Sequence, residues 1–254
     1  MNINQVSVET AVGWLGRGWA LFLRQPGIWI LFTIVAFGLG IGLQLLPIIG
    51  SLAYALIAPA LYGGMIYSAA QLDNGHSVEF EDLFVGLARA EHRTPLLILG
   101  ALSLAANLLL LVVIFAVAGG SALMVAGGGG DAAPAAMLGT MLTVAVIVAV
   151  FGALLAMAFV YACPLILLAG VAPIEAVITS FRASLSNLVP MIVVGVILVV
   201  AAFFASIPFM LGWLVLIPVT VGAVYASYGD LFGSGVDSSA DSDNADAAPP
   251  QLEP

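Results

Sequence analysis

Six stretches of this chain run without a single charged side chain or histidine, at residues 27–46, 49–72, 95–118, 140–169, 189–207 and 209–228. Within them apolar residues follow neither a period of two nor one of 3.6, because nearly every position is apolar. A helix that is hydrophobic all round is a buried or membrane-spanning helix. About 20 helical residues cross a hydrocarbon core of about 30 Å, and each stretch is at least close to that length. The fourth is longer than a crossing needs and contains Pro164, which predicts a tilt, a kink or an early end.

Between these runs the pattern changes. Val8, Val12, Leu15, Trp19 and Phe22 recur at helical spacing, with Glu9, Arg17 and Arg24 opposite. Val177, Phe181, Leu185 and Leu188 repeat the pattern before the fifth run. Amphipathic helices are therefore predicted over 7–25, 79–93 and 173–188, lying in a membrane interface. Each begins with an acid and carries an arginine about two turns later: Glu9 with Arg17, Glu81 with Arg89, Glu175 with Arg182. Charges so ordered suit a helix dipole. Ser7 and Ser77 are plausible N-caps. Each segment ends near a proline, Pro26, Pro95 or Pro190, and the second span after each carries Pro59, Pro164 or Pro218.

The expected fold is thus all-α and integral to the membrane: six transmembrane helices as three hairpins, each preceded by an interfacial amphipathic helix. Residues 1–229 form one transmembrane domain and 230–254 a disordered acidic tail. Short turns at Pro47 and Pro208 close the first and third hairpins. A Gly/Ala loop whose only charge is Asp131 closes the second.

Composition agrees with this reading and charge orients it. The chain is 63% hydrophobic and 7% charged, with a mean hydropathy of +1.19. Soluble domains are about 25% charged. All five basic residues are arginines, at 17, 24, 89, 93 and 182, and all precede the first, third or fifth run. The positive-inside rule then puts both termini in the cytoplasm. The net charge of −9 is concentrated at the carboxyl end, where six of the fourteen acids lie from Asp230 to Glu253. No nucleic-acid partner follows from such a balance.

Candidate chemistry is sparse. The absence of lysine excludes a P-loop lysine or a Schiff base. With Cys163 as the single cysteine there is no intrachain disulfide. No catalytic, cofactor or metal motif stands out, and His76 and His92 beside Glu79, Glu81, Asp82 and Glu91 match no strong metal spacing. Two sets of residues remain. Arg17, Arg24, Arg89, Arg93 and Arg182 could gather anionic headgroups, or they could be topogenic arginines with snorkelling stems. Pro59, Pro164 and Pro218 each free a carbonyl one turn earlier, which could coordinate a solute or be satisfied by a neighbouring helix. Asn107 is a further polar residue at membrane depth, and an interhelical hydrogen bond is its ordinary use. Trp14, Trp19 and Trp29 fit an aromatic belt. Gly38 with Gly42, Gly63 with Gly64, and Gly119 with Gly120 offer surfaces for close helix packing, expected within the monomer rather than at a dimer interface.

The run APALYGGMIYSAAQL followed by DNGHSVEFEDLFVGL, and the opening AVGWLGRGWALFLRQPG, resemble uncharacterised bacterial multi-pass inner-membrane proteins. In that group a Pro/Gly-bearing span leads into an Asp-Leu-Phe-x-Gly helix, matched by Asp82, Leu83, Phe84 and Gly86. It is loosely related to YciC-like proteins and to the membrane domain of some glycerophosphodiester phosphodiesterases. The resemblance implies a bacterial inner-membrane location and no activity. The expected role is a non-enzymatic one, organising membrane lipids or partner membrane proteins. The alternative is a small-solute channel or carrier using the proline-kinked spans.

Overall fold

The computed structural model describes residues 2–126 and 133–233. Among these all regular structure is helical. The α-helices are α1 (Val8–Arg24), α2 (Pro26–Gln44), α3 (Ile49–Asp73), α4 (Val85–Ala88), α5 (Ala90–Ala126), α6 (Ala133–Phe159), α7 (Ala162–Ala169), α8 (Pro173–Ser186), α9 (Leu188–Ser206) and α10 (Trp213–Phe232). Six apolar segments are long enough to cross a membrane: α2, α3, α5, α6 continued by α7, α9 and α10. The chain has the build of a helical multi-pass membrane protein. Asp131 and residues 234–254, the larger part of the expected acidic tail, lie outside the described residues.

Local chemistry fixes the helix boundaries. Ser7 caps α1, its hydroxyl accepting the Thr10 N–H at 3.1 Å. Pro26 and Pro173 open α2 and α8, where a missing N–H costs nothing. The turn between α2 and α3 is tight: the Ile49 N–H donates to the Pro47 carbonyl at 2.7 Å, with Ile48 at φ 65°. A β-branched residue in that region is strained.

Several predicted boundaries move. The sixth span does not begin at residue 209. Phe209 and Met210 take left-handed φ values of 50° and 63°, which no helix continues, so α10 starts at Trp213. It then runs past 228, so Asp230 is helical and not part of a tail. The predicted helix over 79–93 is three pieces: a 3₁₀ turn (Phe80–Phe84), α4, and the first turn of α5. Glu79, not Ser77, is the N-cap, in a reciprocal box with Asp82. Arg89 is extended (φ −83°, ψ 122°), and the chain changes direction there.

The fourth span is interrupted at Val160–Tyr161, between α6 and α7. Pro164 accounts for the place, because its ring excludes the bond to the carbonyl four residues earlier. A serine on α8 mends the break. Buried Ser180 accepts the Tyr161 N–H at 3.0 Å and donates to the Met157 carbonyl at 2.8 Å. Ser184 donates to the same carbonyl at 3.2 Å.

The packing has a cyclic order. The Phe80–Phe84 turn and α4 lie on α3, and α8 lies on α6 and α7. Each thus packs on the proline-bearing helix that precedes it in sequence. α1 packs instead on the third proline-bearing helix, α10. Two of these contacts are close enough to need glycine. A Cβ on Gly18 of α1 would lie 2.3 Å from the Val219 carbonyl oxygen of α10, and one on Gly64 of α3 would lie 2.0 Å from that of Leu83. Of the glycines predicted to pack within the monomer, Gly63 and Gly64 do so, whereas a Cβ on Gly38, Gly42, Gly119 or Gly120 would meet nothing within 4 Å.

The faces buried in these contacts overlap only partly with the apolar stripes expected to lie in the membrane interface. α1 buries Ala11, Trp14, Gly18, Leu21 and Phe22, while Val8, Val12 and Trp19 stay exposed. α8 buries Ala176, Ser180, Ala183 and Ser184, while Ile174, Ile178 and Leu185 stay exposed. On α8 the protein contact goes to small residues, which let helix axes approach; on α1 Gly18 sets the close approach, with Trp14, Leu21 and Phe22 buried on the same helix.

Candidate functional site

The arginines gather at the end of the bundle where α3, α7 and α10 finish, and they are not equivalent. Arg17 forms a bidentate ion pair with Asp230 of α10, one of its two bonds at 3.0 Å. The same carboxylate accepts the Trp14 indole N–H at 2.8 Å. Arg24 donates to the Leu72 carbonyl in the last turn of α3, where an unsatisfied carbonyl and the dipole both favour a cation. Arg89 lies 5.2 Å from the centroid of the Tyr67 ring and 3.4 Å from its hydroxyl. Arg93 and Arg182 are exposed and carry no side-chain partner among the described residues. Of the five expected headgroup contacts, Arg17 is therefore committed to an internal ion pair, and Arg93 and Arg182 are free.

Sequence reasoning missed the groups that join the termini. The Asn4 N–H donates to the Leu231 carbonyl at 3.0 Å, and its side-chain amide to the Asp230 carbonyl at 3.1 Å. Buried Asn187 accepts the Val6 N–H at 2.9 Å and donates to the Asn4 and Ala183 carbonyls, both at 3.1 Å. Asn187 carried a signal, since it is a lone amide at a helix junction. Asp230 was concealed by the run of acids after it. Trp14 and Trp29 are buried, at 2% and 0% exposure, and do not join an aromatic belt. Only Trp19 of the three predicted belt tryptophans is exposed.

A cavity of about 420 Å³ opens among α1, the last turns of α3 and α7, and α10. Its floor is Ala20, Leu21, Ala70, Leu168 and Ala226, and its polar wall is Arg17, Arg24, Asp73, Asn74, Tyr225 and Tyr228. The Tyr225 hydroxyl donates to the Asp73 carboxylate at 3.2 Å. That size and mixture of an apolar floor with few polar groups are those of a small-ligand site. A second cavity, on the outer face of α8, places Arg182 and Glu175 beside Ile3, Ile174 and Ile178.

The proline positions are tightly placed. Pro164 and Pro218 are buried, and the Pro59 carbonyl accepts the Cys163 thiol at 3.4 Å, which joins α3 to α7. Asn107 is exposed on α5 and donates to the Ser103 carbonyl of its own helix at 2.8 Å, so the bond bridges no helices. His92 lies 3.4 Å from Glu91, and among the described residues no three metal-type side chains come together.

No protein-family model, no curated protein and no solved structure matches the chain.

Proposed function

We propose that this is a non-enzymatic multi-pass protein of the bacterial inner membrane that organises lipids at the cytoplasmic leaflet through its three arginine-bearing segments. The observation that carries the reading is the surface of α8 and the start of α5. Arg182 and Arg93 are unpaired among the described residues, and Arg182 stands beside the exposed apolar side chains Ile174, Ile178 and Leu185. A cation beside an apolar stripe binds an interface by inserting the stripe and attracting anionic headgroups, at about 1 kcal/mol per basic residue.

Topology supports it. Six spans return the chain to its starting side, and the arginine distribution makes that side the cytoplasm. The cyclic packing of α1, of the Phe80–Phe84 turn with α4, and of α8 supports a threefold repeat of interfacial segment and hairpin. The solute-path alternative draws less support, since Pro164 and Pro218 are buried and Asn107 is exposed and bonded within its own helix.

The test is lipid retention by the purified full chain in nanodiscs containing phosphatidylglycerol, read by native mass spectrometry. Arg93→Gln with Arg182→Gln is expected to lower retention of the anionic lipid several-fold without changing stability. Unchanged retention would sink the lipid reading. Reporter fusions after Asp131 and at the carboxyl terminus should report opposite sides, and a tail on the outer side would overturn the orientation.

A further inference from the structure

The cavity among α1, α3, α7 and α10 holds two opposite charges that do not use each other. Arg24 and Asp73 line it together, yet neither belongs to an ion pair among the described residues. Both keep capacity to spare. The Arg24 guanidinium has five N–H donors and gives one bond, to the Leu72 carbonyl. The Asp73 carboxylate accepts the Tyr225 hydroxyl on one oxygen, leaving its other oxygen and further lone pairs. Arg17, also in the wall, is already paired with Asp230 of α10. A ligand of one sign would satisfy one of the two open groups and be repelled by the other.

The geometry points to a ligand bearing both charges: an oxyanion for Arg24 and a primary ammonium for Asp73, joined by a short linker. An ammonium donates in three directions, and the same wall carries further acceptors besides the Asp73 carboxylate, on Asn74 and Tyr228. A quaternary ammonium cannot donate at all. The floor of alanine and leucine side chains accepts the apolar end of such a molecule. The phosphoethanolamine headgroup of a phospholipid has this chemistry, and so does free phosphoethanolamine. The inference rests on the lipid-organising reading and names a lipid class for one of its sites.

The experiment places the full chain in nanodiscs with equal phosphatidylethanolamine, phosphatidylcholine and phosphatidylglycerol, then counts the lipids retained on transfer to detergent. The wild type should keep the ethanolamine lipid over the choline lipid about tenfold or more, the worth of one charge-assisted hydrogen bond. Asp73→Asn should abolish that preference, and Arg24→Gln should lower retention of the ethanolamine lipid. Equal retention of the two lipids by the wild type, or an unchanged preference in Asp73→Asn, would overturn the assignment; the wild-type comparison holds even if a variant does not fold. Competition by soluble phosphoethanolamine at the same concentration as the lipid would overturn the lipid source and keep the zwitterion chemistry. Loss of phosphatidylglycerol in Arg93→Gln with Arg182→Gln, alongside failure here, would leave the broader reading standing.

Discussion

Asp230 is the acceptor that holds the amino-terminal helix to the end of the chain, so replacing it with alanine tests the fold at one atom group. Two donors lose their partner. The first is the indole N–H of Trp14, a side chain only 2% exposed, which cannot turn to water. A buried donor left unsatisfied costs about 1–3 kcal/mol. The second is the Arg17 guanidinium, whose side chain is 48% exposed against 25% for Asp230. Solvent screens that pair, and an exposed ion pair is worth about 0–1 kcal/mol. The sum is about 1–4 kcal/mol, with the tryptophan supplying most of it. Arg17→Gln should therefore cost less than about 1 kcal/mol, and Trp14→Phe should cost more than Arg17→Gln. The assay is reversible unfolding in mixed micelles followed by tryptophan fluorescence. The reasoning fails if Asp230→Ala is neutral, or if Arg17→Gln is as damaging as Asp230→Ala.

Two further substitutions probe the other contacts. Ser180→Ala strands the Tyr161 N–H and should destabilise by about 1–3 kcal/mol in the same assay, while Ser184→Ala should cost less because the Met157 carbonyl keeps Ser180. Gly18→Ala pushes a Cβ into the α10 backbone and should cost about 1–3 kcal/mol, whereas Gly13→Ala and Gly16→Ala on the same helix meet open space and should be neutral or stabilising by up to about 1 kcal/mol.

How far the sequence disclosed this depends on which force set each feature. The spans were legible because a membrane crossing demands a long uncharged run, and α2 and α3 fall within two residues of the predicted ends. The break before α7 was legible in kind, since Pro164 cannot accept the regular helix. Its repair by Ser180 was not, because that serine belongs to a different helix and has no local pattern. The protein-facing sides of α1 and α8 were not legible, for one reason. Hydrophobic periodicity finds the stripe that leaves water, but in a membrane protein that stripe can enter lipid, and the protein contact goes to small residues such as Gly18, Ala176 and Ala183. The candidate site was legible least. Arg24 and Asp73 lie far apart in sequence and meet only because the ends of α1 and α3 converge.

The cyclic order gives that convergence a cause. α4 and α8 each dock on a helix that comes just before them in sequence, so both contacts are local. α1 docks instead on α10, and the bond from Trp14 to Asp230 spans 216 residues. Before α10 is in place, Trp14 and Arg17 lack their acceptor. Closing the ring carries the entropy of the longest loop in the molecule, though that cost grows only as the logarithm of loop length. What offsets it is concentrated at the closure: a backbone contact at Gly18, an ion pair at Asp230, and the amides of Asn4 and Asn187. The cavity among α1, α3, α7 and α10 lies at this same closure, so its walls are complete only once α1 and α10 have met.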